Sequence, residues 1–194
     1  MSEATALFPL KSLLVPGCHL DLQIFEARYL DMVSRCFRQQ QGFMVVGLES
    51  GSEVGSGNLR FGAIGCEARI VDWQQRDNGL LGIRVLGGRR ARLSEVEVAE
   101  DGLVTAQAQW IPEQLDAALL ADHDELLSLH QALLQHPLVQ RLDLPPVEDS
   151  QQRLAWQLTS LLPLPLEQKN QLLAIDRPDE RLQRIGDWLQ QVQA

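Results

Sequence analysis

The hydrophobic positions of this chain follow two different periods, and the change between them falls near Pro112. Between residues 103 and 111 apolar side chains alternate with polar ones, as in a strand with one buried face. From residue 113 onward leucines recur at steps of three and four, as on one face of a helix. The pattern predicts a β-rich first subdomain, residues 1–112, and a helical second subdomain, residues 113–194.

One segment of the first part departs from the strand pattern. Its apolar spacing predicts an amphipathic helix over residues 25–40. Phe25 and Tyr29 are one helical turn apart, and we expect both in the core. Glu26 and Arg28 stand at the start of this helix, where we expect them to tie it to the sheet rather than to recognise a ligand.

The rest of the first part predicts short strands joined by turns. A strand over residues 7–15 comes first, and a Gly/Ser-rich stretch at 50–58 predicts a mobile loop. Asn78-Gly79 and Asp101-Gly102 predict hairpins, and Gly87-Gly88 predicts a further turn. Because several short strands must protect their edges, we expect this mostly antiparallel sheet to curl into a barrel.

Four helices with apolar stripes are predicted after Pro112, over residues 115–136, 150–162, 165–175 and 176–192. Asp149 or Ser150 can cap the second of them. The predicted fold class is therefore α+β: a β pseudo-barrel with one embedded helix, followed by a four-helix bundle.

Composition places the chain among ordinary globular proteins. Its 194 residues are 45% hydrophobic and 22% charged, which excludes disorder. The three cysteines are widely spaced and form no CxxC, so we expect buried, reduced thiols in a cytoplasmic protein. The N-terminus does not resemble a signal peptide, and no apolar run is long enough to span a membrane.

The net charge of −9 argues against a general nucleic-acid binder. The charge is uneven, since residues 1–112 carry 13 acidic and 11 basic side chains while residues 113–194 carry 13 and 6. The nearly neutral first part holds one basic cluster: Arg89, Arg90 and Arg92. We expect this cluster to be a solvated strand edge, with RNA binding as the alternative.

Two further sets of residues are candidates for site chemistry. Trp73 ends a predicted strand beside a polar loop, and with Arg89 and Arg90 it is our candidate for binding a partner. His123 and His130 lie among acidic residues, but they lack the i,i+4 spacing of helical zinc ligands. We expect them on the surface, and we expect no metal or cofactor.

Several segments resemble the N-terminal domain of Lon proteases. The strongest is Leu22-Gln-Ile24-Phe25-Glu26-Ala-Arg28-Tyr29, preceded by Phe8-Pro9-Leu10 and Val15-Pro16-Gly17. The resemblance continues through Phe61–Gly65, Gly82–Arg90, Leu161–Lys169 and Asp179–Leu182. It implies a PUA-like pseudo-barrel followed by a helical bundle, and a role in substrate selection.

The sequence contains neither the ATP-binding loop nor the catalytic Ser–Lys dyad of Lon proteases. No GxxxxGK[ST] loop occurs, and Lys11 beside Ser12 is not a catalytic dyad, since neighbours on a strand point to opposite faces. We therefore expect a stand-alone, non-catalytic module without the ATPase and protease domains. Its partners are expected to be unfolded or extended protein segments, or another protein, held at a sheet edge or in a groove between the two parts. The oligomeric state stays open.

Overall fold

The computed structural model describes residues 2–50 and 60–193, without the side chains at positions 2, 3, 50, 192 and 193. Nearly all of the predicted Gly/Ser-rich loop lies outside these residues. Within them, the first part forms seven strands and the helix α1 (Ala27–Gln39). The strands are β1 (Ser2–Leu10), β2 (His19–Ile24), β3 (Phe43–Ser50), β4 (Arg60–Phe61), β5 (Ile64–Gln75), β6 (Leu81–Val98) and β7 (Val104–Trp110).

Five of these strands close into a ring. Antiparallel pairings lead from β1 through β7, β6 and β5 to β3, and β3 returns to β1 through a parallel pairing that sets Met44 beside Leu7. β2 pairs with β6 and β4 pairs with β3, outside the ring. The predicted α+β class with a mostly antiparallel sheet is confirmed, while the PUA-like label stays a prediction.

Strand β3 is buried on both faces, because its alternate side chains enter two different cores. Met44 and Val46 pack inside the ring with small residues of β6 and β7. Phe43 and Val45 point the opposite way, into a core that includes Met32 of α1. Helix α1 therefore forms a second layer over this part of the sheet.

Helix α1 lies close to its predicted position. Tyr29 is buried, and its ring centroid lies 4.3 Å from that of Phe8. The prediction for Phe25 is wrong, since its side chain is 54% exposed. The helix begins only at Ala27, so Phe25 precedes it and does not share its inward face.

The expected structural role of Glu26 and Arg28 is confirmed. Their side chains form an ion pair at 2.8 Å, and Arg28 donates a 2.7 Å hydrogen bond to the carbonyl of Gly102. Arg28 is buried, so the pair joins the start of α1 to the β6–β7 turn.

Two of the three predicted turns are confirmed. Gly79 and Gly102 both adopt φ of +80°, in the hairpins β5–β6 and β6–β7. The prediction of a turn at Gly87-Gly88 is wrong, because strand β6 continues through both glycines. Gly87 is needed for close packing instead: a Cβ there would lie 2.0 Å from the carbonyl oxygen of Val15.

The second part is helical within the described residues. After a short 3-10 turn (Ala121–His123) come α2 (Asp124–Leu134), α3 (Pro137–Gln140), α4 (Gln151–Leu161), α5 (Leu166–Ala174) and α6 (Pro178–Gln193). Ser150 caps α4 by accepting a 2.9 Å hydrogen bond from the amide of Arg153. Since α5 packs against β3 and β5 rather than only against helices, a closed four-helix bundle stays a prediction.

The first predicted helix of this part begins too early. Residues 111–120 are irregular, and Leu115 is 94% exposed. Their backbone groups bond to the start of α4 instead: the amide of Gln151 donates to the carbonyl of Ala117, and the amide of Leu119 donates to Asp149. These contacts replace the hydrogen bonds that a helix would make.

The expectation of a surface position for His130 is also wrong. It is 2% exposed, and its Nε2 lies 2.6 Å from Oε1 of Gln157. The amide nitrogen of Gln157 donates to the carbonyl of Pro145, so its oxygen is left to accept from the His130 ring.

The sheet and the helices share an apolar cluster. It joins Val15 and Ile64 of the first part to Trp156 and Leu173 of the second. Among the described residues no helix is long and apolar enough to cross a bilayer. The boundary at residue 112 between two subdomains stays a prediction.

Candidate functional site

An open groove of about 920 Å³ lies beside the second half of α1. Its walls come from α1, from the start of β3, and from β1, β5 and the β6–β7 turn. The side chains toward α1 are largely apolar, among them Met32, Cys36 and Ile70. The other side carries Thr5, Arg69 and further polar groups.

The groove meets the sheet at strand edges rather than on one face. Its lining includes three consecutive residues of β1: Ala4, Thr5 and Ala6. Successive side chains of a strand point to opposite faces, so contact with all three is what a groove along the strand edge would make. Arg69 and Ile70, consecutive in β5, line it in the same way.

The electrostatic character of the groove differs from that of the whole chain. Its described lining holds three arginines and two carboxylates, in a protein whose net charge is −9. Arg89 bonds Glu67 at 3.2 Å, and its guanidinium carbon lies 3.7 Å from the ring centroid of Trp110. Within the described residues no such ion pair holds Arg35 or Arg69, so the groove has positive charge to offer a ligand.

Two exposed aromatic side chains continue the groove. Phe37 of α1 lines it and is 44% exposed, and Trp73 of β5 is 61% exposed. Their ring centroids lie 6.4 Å apart in an edge-to-face arrangement. Trp73, a sequence candidate, therefore stands beside the groove together with a partner that sequence reasoning missed.

The groove offers no activated nucleophile among its described residues. Burial raises the pKa of the Cys36 thiol, and a thiolate is the reactive form of cysteine. No histidine lines the described part of the groove to act as its base. The described residues also contain no cluster of His, Cys, Asp and Glu able to hold a metal ion.

Arg90 does not lie on the surface, which corrects its assignment to a partner-binding surface and to a solvated strand edge. Its side chain is fully buried, donates to the carbonyls of Leu173 and Ile175, and forms ion pairs with Glu113 at 2.6 Å and Asp176 at 3.2 Å. A buried guanidinium with this many acceptors holds the helices to the sheet.

A second buried arginine completes this joint. The guanidinium carbon of Arg181 lies 3.4 Å from the ring centroid of Trp156, and that of Arg90 lies 5.4 Å from it. Burial and the neighbouring Arg90 charge lower the pKa of Arg181 to about 9. Arg181 donates to the carbonyls of Leu172 and Ile175, so both charges serve the packing of α5 and α6.

The three arginines of the basic cluster are thus not one surface. Arg89 lines the groove, Arg92 is exposed farther along β6, and Arg90 points into the joint. The solvated strand edge expected for this cluster is therefore wrong for Arg90, and the RNA-binding alternative loses a shared basic surface.

Sequence reasoning missed Phe37, Arg35 and Arg69 as site residues. Phe37 belongs to the apolar pattern of α1, so its exposure could not be separated from core packing. Arg35 of α1 and Arg69 of β5 are far apart in sequence, and only the tertiary fold brings both to the groove lining.

Comparison with known proteins gives a consistent picture. The family model for the ATP-dependent protease La (LON) substrate-binding domain matches residues 5–191. The crystal structure of a Lon N-terminal domain protein from Xanthomonas campestris is similar, with 32% identity, a TM-score of 0.76, and coverage of 96% of this chain and 98% of that one.

A second solved structure, the N-terminal domain of a Mycobacterium avium complex Lon protease, has 17% identity and a TM-score of 0.63. It covers 96% of this chain and 97% of that one, and at this identity it supports the fold alone. A search of curated proteins found no match.

Proposed function

Because this chain belongs to the family of ATP-dependent protease La (LON) substrate-binding domains, we propose that it is a non-catalytic module that binds unfolded or extended protein segments. The binding site is the groove beside α1, with Phe37 and Trp73 as its apolar anchors. The RNA alternative has no comparable support, since Arg90 is buried away from Arg89 and Arg92.

One observation carries this proposal: two large aromatic side chains are held exposed beside an open groove. Exposed aromatic rings at a groove are typical anchors for protein partners, since they bury much area at low conformational cost. Unfolded chains offer the apolar side chains that such anchors bind, whereas folded proteins keep most of them inside.

The proposal divides the work between the two parts of the chain. Residues 1–112 form the binding subdomain, and residues 113–194 form a helical subdomain that supports it. The buried contacts of Arg90 and Arg181 support this division of roles, because they fix α5 and α6 against the sheet.

Binding to a reduced, carboxymethylated protein that cannot fold tests the proposal, with fluorescence anisotropy as the measurement. Trp73→Ala and Phe37→Ala are each expected to weaken binding about tenfold, the loss typical of an interface anchor. Leu138→Ala is the matched control, since Leu138 is 64% exposed on α3 and lies outside the groove lining. The proposal is overturned if this protein without substitutions does not bind the unfolded probe. It is also overturned if Leu138→Ala weakens binding as much as Trp73→Ala and Phe37→Ala do.

A further inference from the structure

Strand β2 has one edge that no other described strand pairs with. It pairs with β6 along its whole length, from His19 to Ile24, and no strand of the described residues pairs with its other side. Asp21 and Gln23 are exposed, and so is Phe25, which follows the strand. An open edge of this length is a site where a further strand can add.

The hydrogen bonds to β6 show which backbone groups of β2 face the open edge. In an antiparallel pair, alternate residues bond to the partner strand and the residues between them turn away. Cys18 precedes β2, and its carbonyl accepts a 2.9 Å hydrogen bond from the amide of Gly87 in β6. The N–H and C=O groups of His19, Asp21 and Gln23 therefore point outward.

The β5–β6 hairpin gives the same alternation. There the amide of Arg76 donates to the carbonyl of Leu80, so the even-numbered residues of β6 that follow bond to β5. Its odd-numbered residues bond to β2. Leu22 is paired with Ile83, which again leaves the odd-numbered residues of β2 facing outward.

This edge lacks the features that usually keep strands of different molecules apart. β2 contains no proline, lysine or arginine, and its pairing with β6 has no bulge. Its one acidic side chain, Asp21, accepts two hydrogen bonds from Arg84, at 2.7 and 3.0 Å. The charge that would repel a second strand is therefore balanced within the sheet.

We propose that the outer edge of β2 pairs antiparallel with the same edge of a second copy of this chain, about a two-fold axis at Leu22. Leu22 then lies opposite its own copy, Leu20 lies opposite Ile24, and Asp21 lies opposite Gln23. The sheets of the two copies join into one. This interface is separate from the groove and does not depend on the proposed function.

Hydrogen-bond phase and charge select this register. Outward-facing groups can bond only when odd-numbered residues lie opposite odd-numbered ones. A shift by two residues in one direction sets Asp21 opposite its own copy, and like charges directly opposite are destabilising. The same shift in the other direction sets Asp21 opposite the apolar Phe25. The proposed register keeps the apolar side chains on one face and the polar ones on the other.

Sedimentation velocity over a range of protein concentrations tests the inference. The protein is expected to show a reversible equilibrium between monomer and dimer. Gln23→Pro removes an N–H that β6 does not use, so the circular dichroism spectrum should stay unchanged. The two-fold axis doubles the loss of this hydrogen bond, and the dimer should weaken about thirtyfold. A monomer at every concentration overturns the inference.

Charge variants at Gln23 test the register without a change to the backbone. Gln23→Asp sets two carboxylates opposite each other at both ends of the ladder and should weaken the dimer about fivefold. Gln23→Lys sets an ammonium group opposite Asp21 and should strengthen it. Gln183→Asp is the matched control, because Gln183 is exposed on α6. Equal effects of Gln23→Asp and Gln183→Asp overturn the register.

Other occupants of the edge give different results. If the protein stays monomeric while Gln23→Pro weakens binding of the unfolded probe, the edge holds that ligand and the inference is overturned. A dimer that neither Gln23→Pro nor Gln23→Asp weakens uses another surface, which also overturns it. Failure of the unfolded probe to bind, with the dimer present, overturns the proposed function alone.

Discussion

The Nε of Arg90, in the middle of the sheet, lies 2.6 Å from a carboxylate oxygen of Glu113, the residue that follows Pro112. Glu113 also accepts a 2.9 Å hydrogen bond from Gln152 of α4. One carboxylate thus connects the sheet, the irregular segment and a helix.

Glu113→Gln is expected to lower the free energy of unfolding by about 2 kcal/mol. The change removes the negative charge beside two buried arginines, and an uncompensated buried charge is costly. Urea unfolding followed by circular dichroism measures the effect. Glu148→Gln is the matched control, because the Arg153–Glu148 pair is exposed and should contribute less than about 1 kcal/mol. Equal effects of the two substitutions contradict the prediction.

Two glycines are expected to respond to alanine in opposite directions. Gly87→Ala forces a Cβ against the Val15 backbone and should cost about 3 kcal/mol or more. Gly186 lies inside α6, and an alanine Cβ there would meet no atom within 4 Å, so Gly186→Ala should stabilise the protein by about 0.5–1 kcal/mol. Thermal unfolding of both variants measures the shifts. An unchanged thermal stability of Gly87→Ala would contradict the close approach of Gly87 to the Val15 backbone.

His130 is expected to make stability depend on pH. Burial lowers the pKa of its ring in the folded protein, so below about pH 6.5 the unfolded chain binds more protons than the folded one. The contribution of neutral His130 to the free energy of unfolding should be fully present above that pH. It should decrease as the pH drops, by at most about 1.4 kcal/mol per pH unit. His130→Gln should flatten the slope between about pH 5 and 7, and an unchanged slope in this variant contradicts the prediction.

The three thiols are expected to react at different rates with an aromatic disulfide reagent. Burial raises the pKa of Cys18 to about 12 and raises that of Cys66 as well, so both should react only on unfolding. Cys36 borders the groove and should react first. A bound peptide should slow this reaction, and Cys36→Ser should remove the early phase. Equal rates for all three thiols in the folded protein contradict the groove geometry.

The sequence predicts the elements whose geometry is decided locally. Asn78-Gly79 forms its hairpin because a glycine adopts positive φ there, and Ser150 caps α4 because its hydroxyl reaches a free amide. The burial of Tyr29 follows from the same helical spacing that predicts α1.

Other features depend on contacts between distant segments. Gly87 has the composition of a turn residue, but its role is set by Val15, far away in sequence. Arg90 has neighbours typical of a basic surface, and only the approach of Glu113 and Asp176 makes its burial possible. The groove arises from where β3 begins relative to β1 and β5, a difference of register that no residue pattern records.

The closing of the ring by β1 also has a consequence for synthesis. Pairing joins Ser2 to Gln109, so β1 lacks its β7 partner until synthesis has passed Gln109. At typical rates of translation this takes roughly 5–20 s. Over that time β1 is itself an unpaired extended segment, the kind of ligand that the finished fold is proposed to bind. Pairing between segments this far apart in sequence also favours slow folding, which chaperones can assist.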